Sequence, residues 1–200
     1  MTTNEKYKII NIRRYIDNNN LELGEDALIQ ILSEFSCPIN PDVERFLKKS
    51  SIDFTKKNPS VTYLVFSVLD GKLLGYFTLA LKPLTVKSDA VSNTVKRKLL
   101  RISELDEKSN TYTMSAYLIA QIGKNFNEKR ITGAELLELA WDKIKATQYI
   151  LGGMVTFLEA ENEEKLLSFY QNNRFVQFDT RQTTSDSNTP HELIQLLRLL

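Results

Sequence analysis

The spacing of apolar residues divides the chain into alternating strands and helices. Runs rich in Val, Tyr, Phe and Leu predict strands, because β-branched and aromatic side chains favour an extended backbone, whereas apolar residues three and four positions apart predict helices. The predicted strands are Tyr7–Ile12, Val61–Leu69, Leu73–Leu84, Thr111–Ile122, Met154–Ala160 and Phe175–Thr180. The predicted helices are Asp26–Phe35, one that begins at Pro41, Ser88–Leu105, Gly133–Ile150 and Asn162–Asn172.

Short local signals sharpen this pattern. Asp70-Gly71 separates two β-rich runs, which predicts a hairpin. Asn40 precedes Pro41, which predicts a helix N-cap followed by proline at the first helical position. The apolar run Glu192–Leu200 suits either a buried strand or a helix. Strands mixed with helices in this order indicate an α/β domain with a mixed sheet, and we expect residues 1–200 to form a single domain.

Composition excludes several classes of protein. With 200 residues, of which 42% are hydrophobic, the chain can bury a core without a disulfide or a structural metal. Cys37 and His191 are the sole cysteine and histidine, which excludes an intrachain disulfide and thiolate or multi-histidine metal centres. Uncharged stretches such as Ala146–Leu158 are shorter than the roughly 18 residues of a membrane helix. Because residues 1–8 also lack the apolar core of a signal peptide, we expect a reduced, soluble, cytoplasmic protein.

Charge argues against a general nucleic-acid binder but leaves two basic clusters. Lys and Arg number 26 and Asp and Glu number 25, whereas non-specific affinity for nucleic acid comes mainly from neutralising phosphates. A solvated surface explains either cluster. The cluster in the predicted helix Ser88–Leu105 also suits an RNA-facing patch, a lid or a dimer surface. The clusters are Lys96, Arg97, Lys98 and Arg101, and Lys48, Lys49, Lys56 and Lys57.

The loop before the helix at Gly133 is a candidate phosphate site. Helix N-termini present unpaired backbone N–H groups and the positive end of the helix dipole. Lys129 and Arg130 add positive charge, and Gly133 permits close approach to the backbone, which together suit a phosphate or pyrophosphate. An ordinary solvated connection explains the same residues. ATP and dinucleotides have little support, because neither a Walker lysine motif nor G-x-G-x-x-G occurs.

A second candidate lies in the unit Thr156–Phe178. A strand ends at Asn162, a short helix follows with Tyr170 near its end, and Phe175 opens the next strand. Asn162 suits a helix N-cap, which is a structural role. Tyr170 is either a buried core residue or a proton donor at the mouth of a cleft between neighbouring strands.

The spacing of these three residues resembles the GNAT superfamily of acetyl-CoA-dependent N-acetyltransferases. Members carry Asn-x-x-Ala-x-x-Leu-Tyr-x-x-x-Gly-Phe or close to it, and Asn162, Tyr170 and Phe175 match its spacing. Lys165 and Arg174 replace the Ala and the Gly. The resemblance implies an α/β (α+β) fold with a mixed, mostly antiparallel central sheet of six to seven strands flanked by helices. It further implies Glu192–Leu199 as a strand hairpinned to Phe175–Thr180. Relative to the family, the predicted helix Ser88–Leu105 is an extra helix inserted between the third and fourth strands.

The same resemblance assigns a binding site for acetyl-CoA and no metal. The family's pyrophosphate loop reads Gln/Arg-x-x-Gly-x-Gly/Ala, and here Gly133 matches, while Glu128 and Ile131 replace the first polar residue and a glycine. Gln121, Ile122 and Gly123 fall where the bulged fourth strand of the family pairs with the pantetheine arm. The residues implied to bind the cofactor are Gln121, Ile122, Gly123, Lys129, Arg130, Ile131, Thr132, Gly133, Ala134 and Asn162.

The implied reaction is acetyl transfer to a primary amine by direct attack in a ternary complex. Tyr170 would be the general acid that returns a proton to the CoA sulfur, since a phenol is protonated at neutral pH. Backbone N–H groups near Ile122 and Gly123 would contact the oxyanion. Glu159 is one candidate for the general base, and a water-relayed base or an amine that arrives deprotonated is equally consistent with the sequence.

More than one acceptor amine is consistent with the sequence. A subgroup of the family acetylates aminoacyl-tRNA and acts as a growth-arresting toxin, and two segments resemble it, Phe35–Leu47 and Leu74–Leu79. The alternatives are a small-molecule or peptide amine, and a catalytically inactive GNAT-fold interaction module. The expected partners are acetyl-CoA and an amine, with tRNA and an antitoxin for the toxin-like case, no membrane, and a monomeric or homodimeric state.

Overall fold

A mixed sheet of eight strands flanked by helices forms the fold. In this computed structural model, residues 6–16, 24–184 and 190–200 are described. They divide into two compact units, one within 1–80 and 119–142 and the other within 81–118 and 143–200. Three long elements begin in one unit and end in the other, namely β3 (Leu73–Lys87), β5 (Thr111–Lys124) and α6 (Gly133–Leu151).

The remaining elements belong to one unit each. The first unit contains β1 (Tyr7–Asn11), α1 (Arg13–Ile16), α2 (Glu25–Ser33), α3 (Pro41–Arg45), a π-helical turn (Phe46–Ser50), α4 (Ser51–Lys56) and β2 (Val61–Ser67). The second contains α5 (Asn93–Leu99), β4 (Leu105–Asp106), β6 (Val155–Glu161), α7 (Glu164–Asn172), β7 (Val176–Thr184) and β8 (Pro190–Leu199).

The strand order is β1-β2-β3-β5-β6-β8-β7, and β4 pairs with β5 outside this path. The pairs β1–β2, β2–β3, β6–β8 and β7–β8 are antiparallel. The pair β5–β6 is parallel, and its register covers two residue pairs, Tyr117–Thr156 and Leu118–Phe157. The mostly antiparallel mixed sheet that the family resemblance implied is therefore confirmed, and so is the terminal β7–β8 hairpin.

Each unit has its own apolar core. In the first unit, one face of α2 supplies Leu28 and Leu32, which pack with Phe35, Leu64 and other buried side chains of β2 and β3. The second core combines side chains of β3, α5, β5, β6, β7 and β8. Its members are Leu84, Val86, Val91, Leu99, Tyr112, Met114, Ala116, Val155, Phe157, Phe178 and Leu197.

Several local predictions are confirmed. The hairpin at Asp70-Gly71 joins β2 to β3, and Gly71 has φ of 70°, a backbone conformation that glycine adopts without strain. Asn40 caps α3, because its side-chain oxygen accepts the N–H groups of Asp42 at 3.1 Å and Val43 at 3.2 Å. The helix that begins at Gly133 extends for 19 residues.

The helix predicted at Ser88–Leu105 is much shorter in the structure. Strand β3 continues to Lys87, and the Ser92 hydroxyl accepts the N–H of Val95, so α5 begins at Asn93. After Leu99 the chain turns, and β4 follows against β5. Helical spacing of apolar residues over 88–105 thus reflects a seven-residue helix between turns, because local hydrogen bonds and sheet pairing end the helix on both sides.

No helix among the described residues is long and apolar enough to cross a membrane.

Replacing the α3 cap tests its contribution to stability. Asn40→Ala leaves the N–H groups of Asp42 and Val43 without their acceptor, and we expect the free energy of unfolding to fall by about 1 kcal/mol. Asn40→Asp keeps an acceptor oxygen and is the matched control. Urea denaturation of both variants measures the difference, and equal stabilities would contradict the assigned cap.

Candidate functional site

The buried amide of Asn125 fixes the segment that leads from β5 to α6. The side chain is 2% exposed, and its oxygen accepts the N–H groups of Ser36 at 3.1 Å and Asn127 at 3.2 Å. Its amide nitrogen donates to the carbonyls of Leu73 at 2.9 Å and Glu34 at 3.2 Å. One side chain therefore joins the turn after α2, the start of β3 and the loop before α6 within the first unit.

Gly123 lies just before this point and is required by packing. A Cβ at this position would lie 2.4 Å from Cγ1 of Val43 and 3.2 Å from both the Phe35 and Tyr76 rings. The Tyr76 hydroxyl donates to the Val43 carbonyl at 2.6 Å, which holds the first turn of α3 over the end of β5. Gly75 on β3 is similarly constrained, since its Cβ would lie 2.8 Å from the Gly123 carbonyl oxygen.

The N-terminus of α6 is closed by a capping box. Glu135 Oε2 accepts the N–H of Thr132 at 2.9 Å and the Thr132 hydroxyl at 2.8 Å, while Thr132 Oγ1 accepts the Glu135 N–H at 3.1 Å. The Tyr7 hydroxyl of β1 donates to Glu135 Oε1 at 3.0 Å and lies 3.3 Å from the Arg130 carbonyl oxygen. A strand residue and a helix residue thus hold the predicted phosphate loop together.

Ionisation of this pair follows from the same contacts. The hydrogen bond from the Thr132 backbone is the largest factor that lowers the pKa of Glu135. Burial, together with the neighbouring Glu135 carboxylate, raises the pKa of Tyr7 to about 12. At neutral pH Tyr7 is therefore a neutral donor and Glu135 a charged acceptor.

The basic residues predicted for this loop have different surroundings. Arg130 is ion-paired with Glu128 at 2.7 Å and Asp70 at 2.9 Å, whereas Lys129 is exposed and has no ion pair with a described residue. Ile131 is buried at 3% exposure. The N–H groups of Gly133 and Ala134 have no acceptor within the described part of the chain, apart from any that helix formation itself provides.

Tyr170 lies at the end of α7 in the second unit. The residue is 6% exposed, and its ring packs edge-on against Phe169 and Phe175 with centroids 5.1 and 5.9 Å away. Burial raises the pKa of Tyr170 to about 12. Among residues 6–16, 24–184 and 190–200, none forms a hydrogen bond with its hydroxyl. The ring is held by packing, and the hydroxyl keeps its proton and its hydrogen-bonding capacity.

Asn162 does not cap α7, so that prediction is wrong. The N-cap position is Glu163, and no side-chain hydrogen bond caps this helix. Asn162 lies one residue earlier and is exposed. The backbone N–H of Glu163 bonds to the carbonyl of Glu161 at 2.8 Å, and this tight turn moves the start of the helix beyond Asn162.

Glu159 is already engaged as an acceptor. Its carboxylate receives Arg181 Nη1 at 3.0 Å and Gln195 Nε2 at 2.8 Å. Both contacts occupy acceptor positions that a general base would need for the proton of the substrate amine. These contacts argue against Glu159 as the general base.

Sequence reasoning missed Tyr7, Asn125 and Glu135. Thr132-Gly133-Ala134-Glu135 carries the capping-box signature Thr-x-x-Glu, so this signal was available in the sequence. Nothing local distinguishes Tyr7 or Asn125, since their partners lie up to 128 and 91 positions away. No group of three or more potential metal ligands occurs among the described residues.

No protein-family model matches the chain, and no curated protein matches it in sequence. Solved structures do match. AtaT complexed with acetyl-methionyl-tRNAfMet is 16% identical, with a TM-score of 0.64 over 96% of this chain and 94% of that one. A tyrosine-to-phenylalanine mutant of KacT is 17% identical, with a TM-score of 0.62 over 97% of this chain and 95% of that one.

A third match is a mutant AtaT toxin bound to acetyl-CoA and the C-terminus of the antitoxin AtaR. It is 15% identical, with a TM-score of 0.61 over 97% of this chain and 93% of that one. At such low identity these likenesses show the fold. The chain therefore has the GNAT fold that the spacing of Asn162, Tyr170 and Phe175 predicted.

An isosteric change at Asn125 tests its structural role. Asn125→Asp removes the two donors that reach Leu73 and Glu34 and buries a charge, so we expect the free energy of unfolding to fall by about 3 kcal/mol or more. Asn127→Asp is the control, because Asn127 is exposed and donates a single bond of 3.3 Å to Glu34. Urea denaturation measures both, and comparable losses would contradict the special role of Asn125.

Proposed function

We propose that this protein is an acetyl-CoA-dependent N-acetyltransferase that acetylates a primary amine by direct attack in a ternary complex. The observation that carries the proposal is Tyr170, a buried tyrosine whose hydroxyl forms no hydrogen bond with a described residue. It lies eight residues after Asn162 and five before Phe175. This spacing occurs on a strand–helix–strand unit of a GNAT fold. The acetyl-CoA bound to an AtaT structure of the same fold supports the choice of co-substrate.

The backbone donors of the first unit fit the diphosphate of CoA. We assign this role to the N–H groups of Gly133 and Ala134 at the start of a 19-residue helix, with Lys129 as the adjacent cation. Ile131, Thr132 and Arg130 belong to the same loop. Gln121, Ile122 and Gly123 would present backbone groups to the pantetheine arm. Asn162 stays a proposed contact of the cofactor.

Proton transfer is the task assigned to Tyr170. Acetyl-CoA supplies an acyl group activated as a thioester, with a thiol as the leaving group. With a pKa of about 12, the phenol is fully protonated at neutral pH and can donate to that sulfur as a general acid. Because Glu159 is ion-paired with Arg181, we assign no side-chain base and propose that the amine reacts after losing its proton to water.

The removal of one oxygen atom tests this assignment. In Tyr170→Phe, we expect kcat to fall by about 10²-fold with the Kd for acetyl-CoA unchanged, since the ring packing is kept and the proton donor is lost. Tyr149→Phe is the matched control, because Tyr149 is 93% exposed at the end of α6. Steady-state kinetics and calorimetric titration provide the two readouts.

Two outcomes would count against the proposal. An unchanged kcat in Tyr170→Phe would remove this residue from the chemistry. Substrates are expected to bind with Kd values in the micromolar range. If the wild-type chain does not bind acetyl-CoA at a concentration about 100 times higher, the non-catalytic interaction module is favoured instead.

A second candidate is that the acceptor amine is carried by RNA, as in aminoacyl-tRNA. The basic cluster around α5 favours it, since its four cations have no ion pair with a described carboxylate. In the other basic cluster, Lys48, Lys56 and Lys57 are paired with Glu44, Glu25 and Asp53. Unneutralised like charges within six residues destabilise a short helix, and a bound polyanion would offset that cost. A structure of AtaT, which shares the fold, contains acetyl-methionyl-tRNAfMet.

The salt dependence of tRNA binding tests this candidate. Arg97→Ala/Arg101→Ala removes two exposed cations from the cluster around α5. If both contact phosphates, the slope of log K against log salt becomes shallower by about 1.4 to 1.8. Lys56→Ala/Lys57→Ala removes two cations that are already paired, and we expect it to leave the slope unchanged. Fluorescence anisotropy with tRNA measures both, and equal slopes would contradict an RNA-facing role for α5.

A further inference from the structure

The carboxylate of Glu135 lies at the N-terminus of α6, which is the positive end of the helix dipole. In the capping box described above, Glu135 accepts the Thr132 N–H, and Thr132 accepts the Glu135 N–H. Two of the backbone donors at this helix end are therefore used internally, which leaves those of Gly133 and Ala134. A carboxylate at this position also receives the favourable interaction with the helix dipole that an anionic ligand would otherwise receive.

Tyr7 makes this arrangement rigid. Its hydroxyl donates to the second carboxylate oxygen of Glu135 at 3.0 Å, and Tyr7 itself is 7% exposed on β1. The carboxylate of Glu135 is thus bound from both sides, by Thr132 and by Tyr7. The hydrogen bonds from Thr132 lower the pKa of Glu135, so the group stays charged throughout the neutral range.

The arginine of the loop is neutralised in the same way. Arg130 pairs with Glu128 through Nη2 and with Asp70 through Nη1. Counting the loop and its immediate partners, three carboxylates face three cations. The acidic residues are Asp70, Glu128 and Glu135, and the basic ones are Lys129, Arg130 and Lys6, whose charge helps to lower the pKa of Glu135.

We propose that Glu135 determines the affinity of the loop for the CoA diphosphate by occupying part of the anion site with its own carboxylate. This inference rests on the proposed function. The carboxylate competes for the helix dipole and repels the diphosphate across the first turn of α6, so binding is weaker than the backbone donors alone would allow. Asp70 acts in the same direction, because it pairs with the guanidinium of Arg130 and so offsets the positive charge that this side chain would offer to a diphosphate.

The effect is the same for substrate and product. Acetyl-CoA and CoA carry identical diphosphates, so the Glu135 carboxylate weakens the binding of both by the same factor. It therefore favours release of CoA after transfer without changing which of the two is preferred.

Glu135→Gln is the direct test, because glutamine also serves at this position of a capping box. It removes the charge and turns the oxygen that faces Tyr7 into an amide donor, which the Tyr7 hydroxyl can accept. We expect the Kd for CoA to fall by about three- to fivefold at low salt, with the same factor for acetyl-CoA. At 1 M salt the difference should drop below about twofold, because the Debye length is then about 3 Å. Glu138→Gln, an exposed position three residues further along α6, is the matched control and should leave the Kd unchanged. Calorimetric titration gives these constants without any measurement of activity.

A second variant tests the inference while it leaves the capping box of Thr132 and Glu135 intact. Asp70→Asn keeps the acceptor oxygen for the Lys72 N–H and leaves Arg130 paired with Glu128 alone, so it should also tighten CoA binding, by about two- to threefold. Thermal unfolding of each variant separates altered binding from altered folding.

The outcomes separate this inference from the proposed function. Unchanged or weaker CoA binding in both variants, with Tm values equal to that of the wild type, would overturn the role of Glu135 while leaving the proposed function in place. A wild-type chain that binds neither CoA nor inorganic pyrophosphate would overturn the two together. Tightening by Glu135→Gln for CoA and for pyrophosphate, but not by Glu138→Gln, supports the inference.

Discussion

The buried amide of Asn125 is the constraint on which the first unit depends. Its two donors and its acceptor oxygen are all engaged with backbone groups of three separate segments. Each buried polar group left without a partner costs about 1–3 kcal/mol, so these segments hold one arrangement or the unit loses stability. That arrangement also fixes the positions of Gly123 and of the loop toward α6, since they flank Asn125 in the chain.

The loop that follows shows a balance of opposing charges. A helix N-terminus attracts anions, and in this protein Glu135 occupies part of that position while Arg130 is neutralised by two carboxylates. Rigidity is gained from the protein's own hydrogen bonds in a loop where Ile131 stands in place of a glycine. The same bonds that order the loop reduce its net positive charge.

Tyr170 illustrates how one environment supports a proposed chemical role. Packing against Phe169 and Phe175 removes water from the ring and raises the pKa of the phenol, which fixes its protonation state at neutral pH. Glu159 is the contrasting case, because its carboxylate oxygens already accept hydrogen bonds from Arg181 and Gln195. The buried phenol therefore stays protonated, while the carboxylate of Glu159 is occupied by its two donors.

The sequence by itself determined the elements whose signals are local. The β2–β3 hairpin, the Asn40 cap and the long helix from Gly133 follow from residues a few positions apart, and the spacing around Tyr170 identified the fold. Only the tertiary structure decided the length of α5, the pairing of Arg130 with Asp70 and the contact between Tyr7 and Glu135. The two contacts join residues far apart in the chain, and no local pattern records which distant side chain will satisfy a given charge or hydrogen bond.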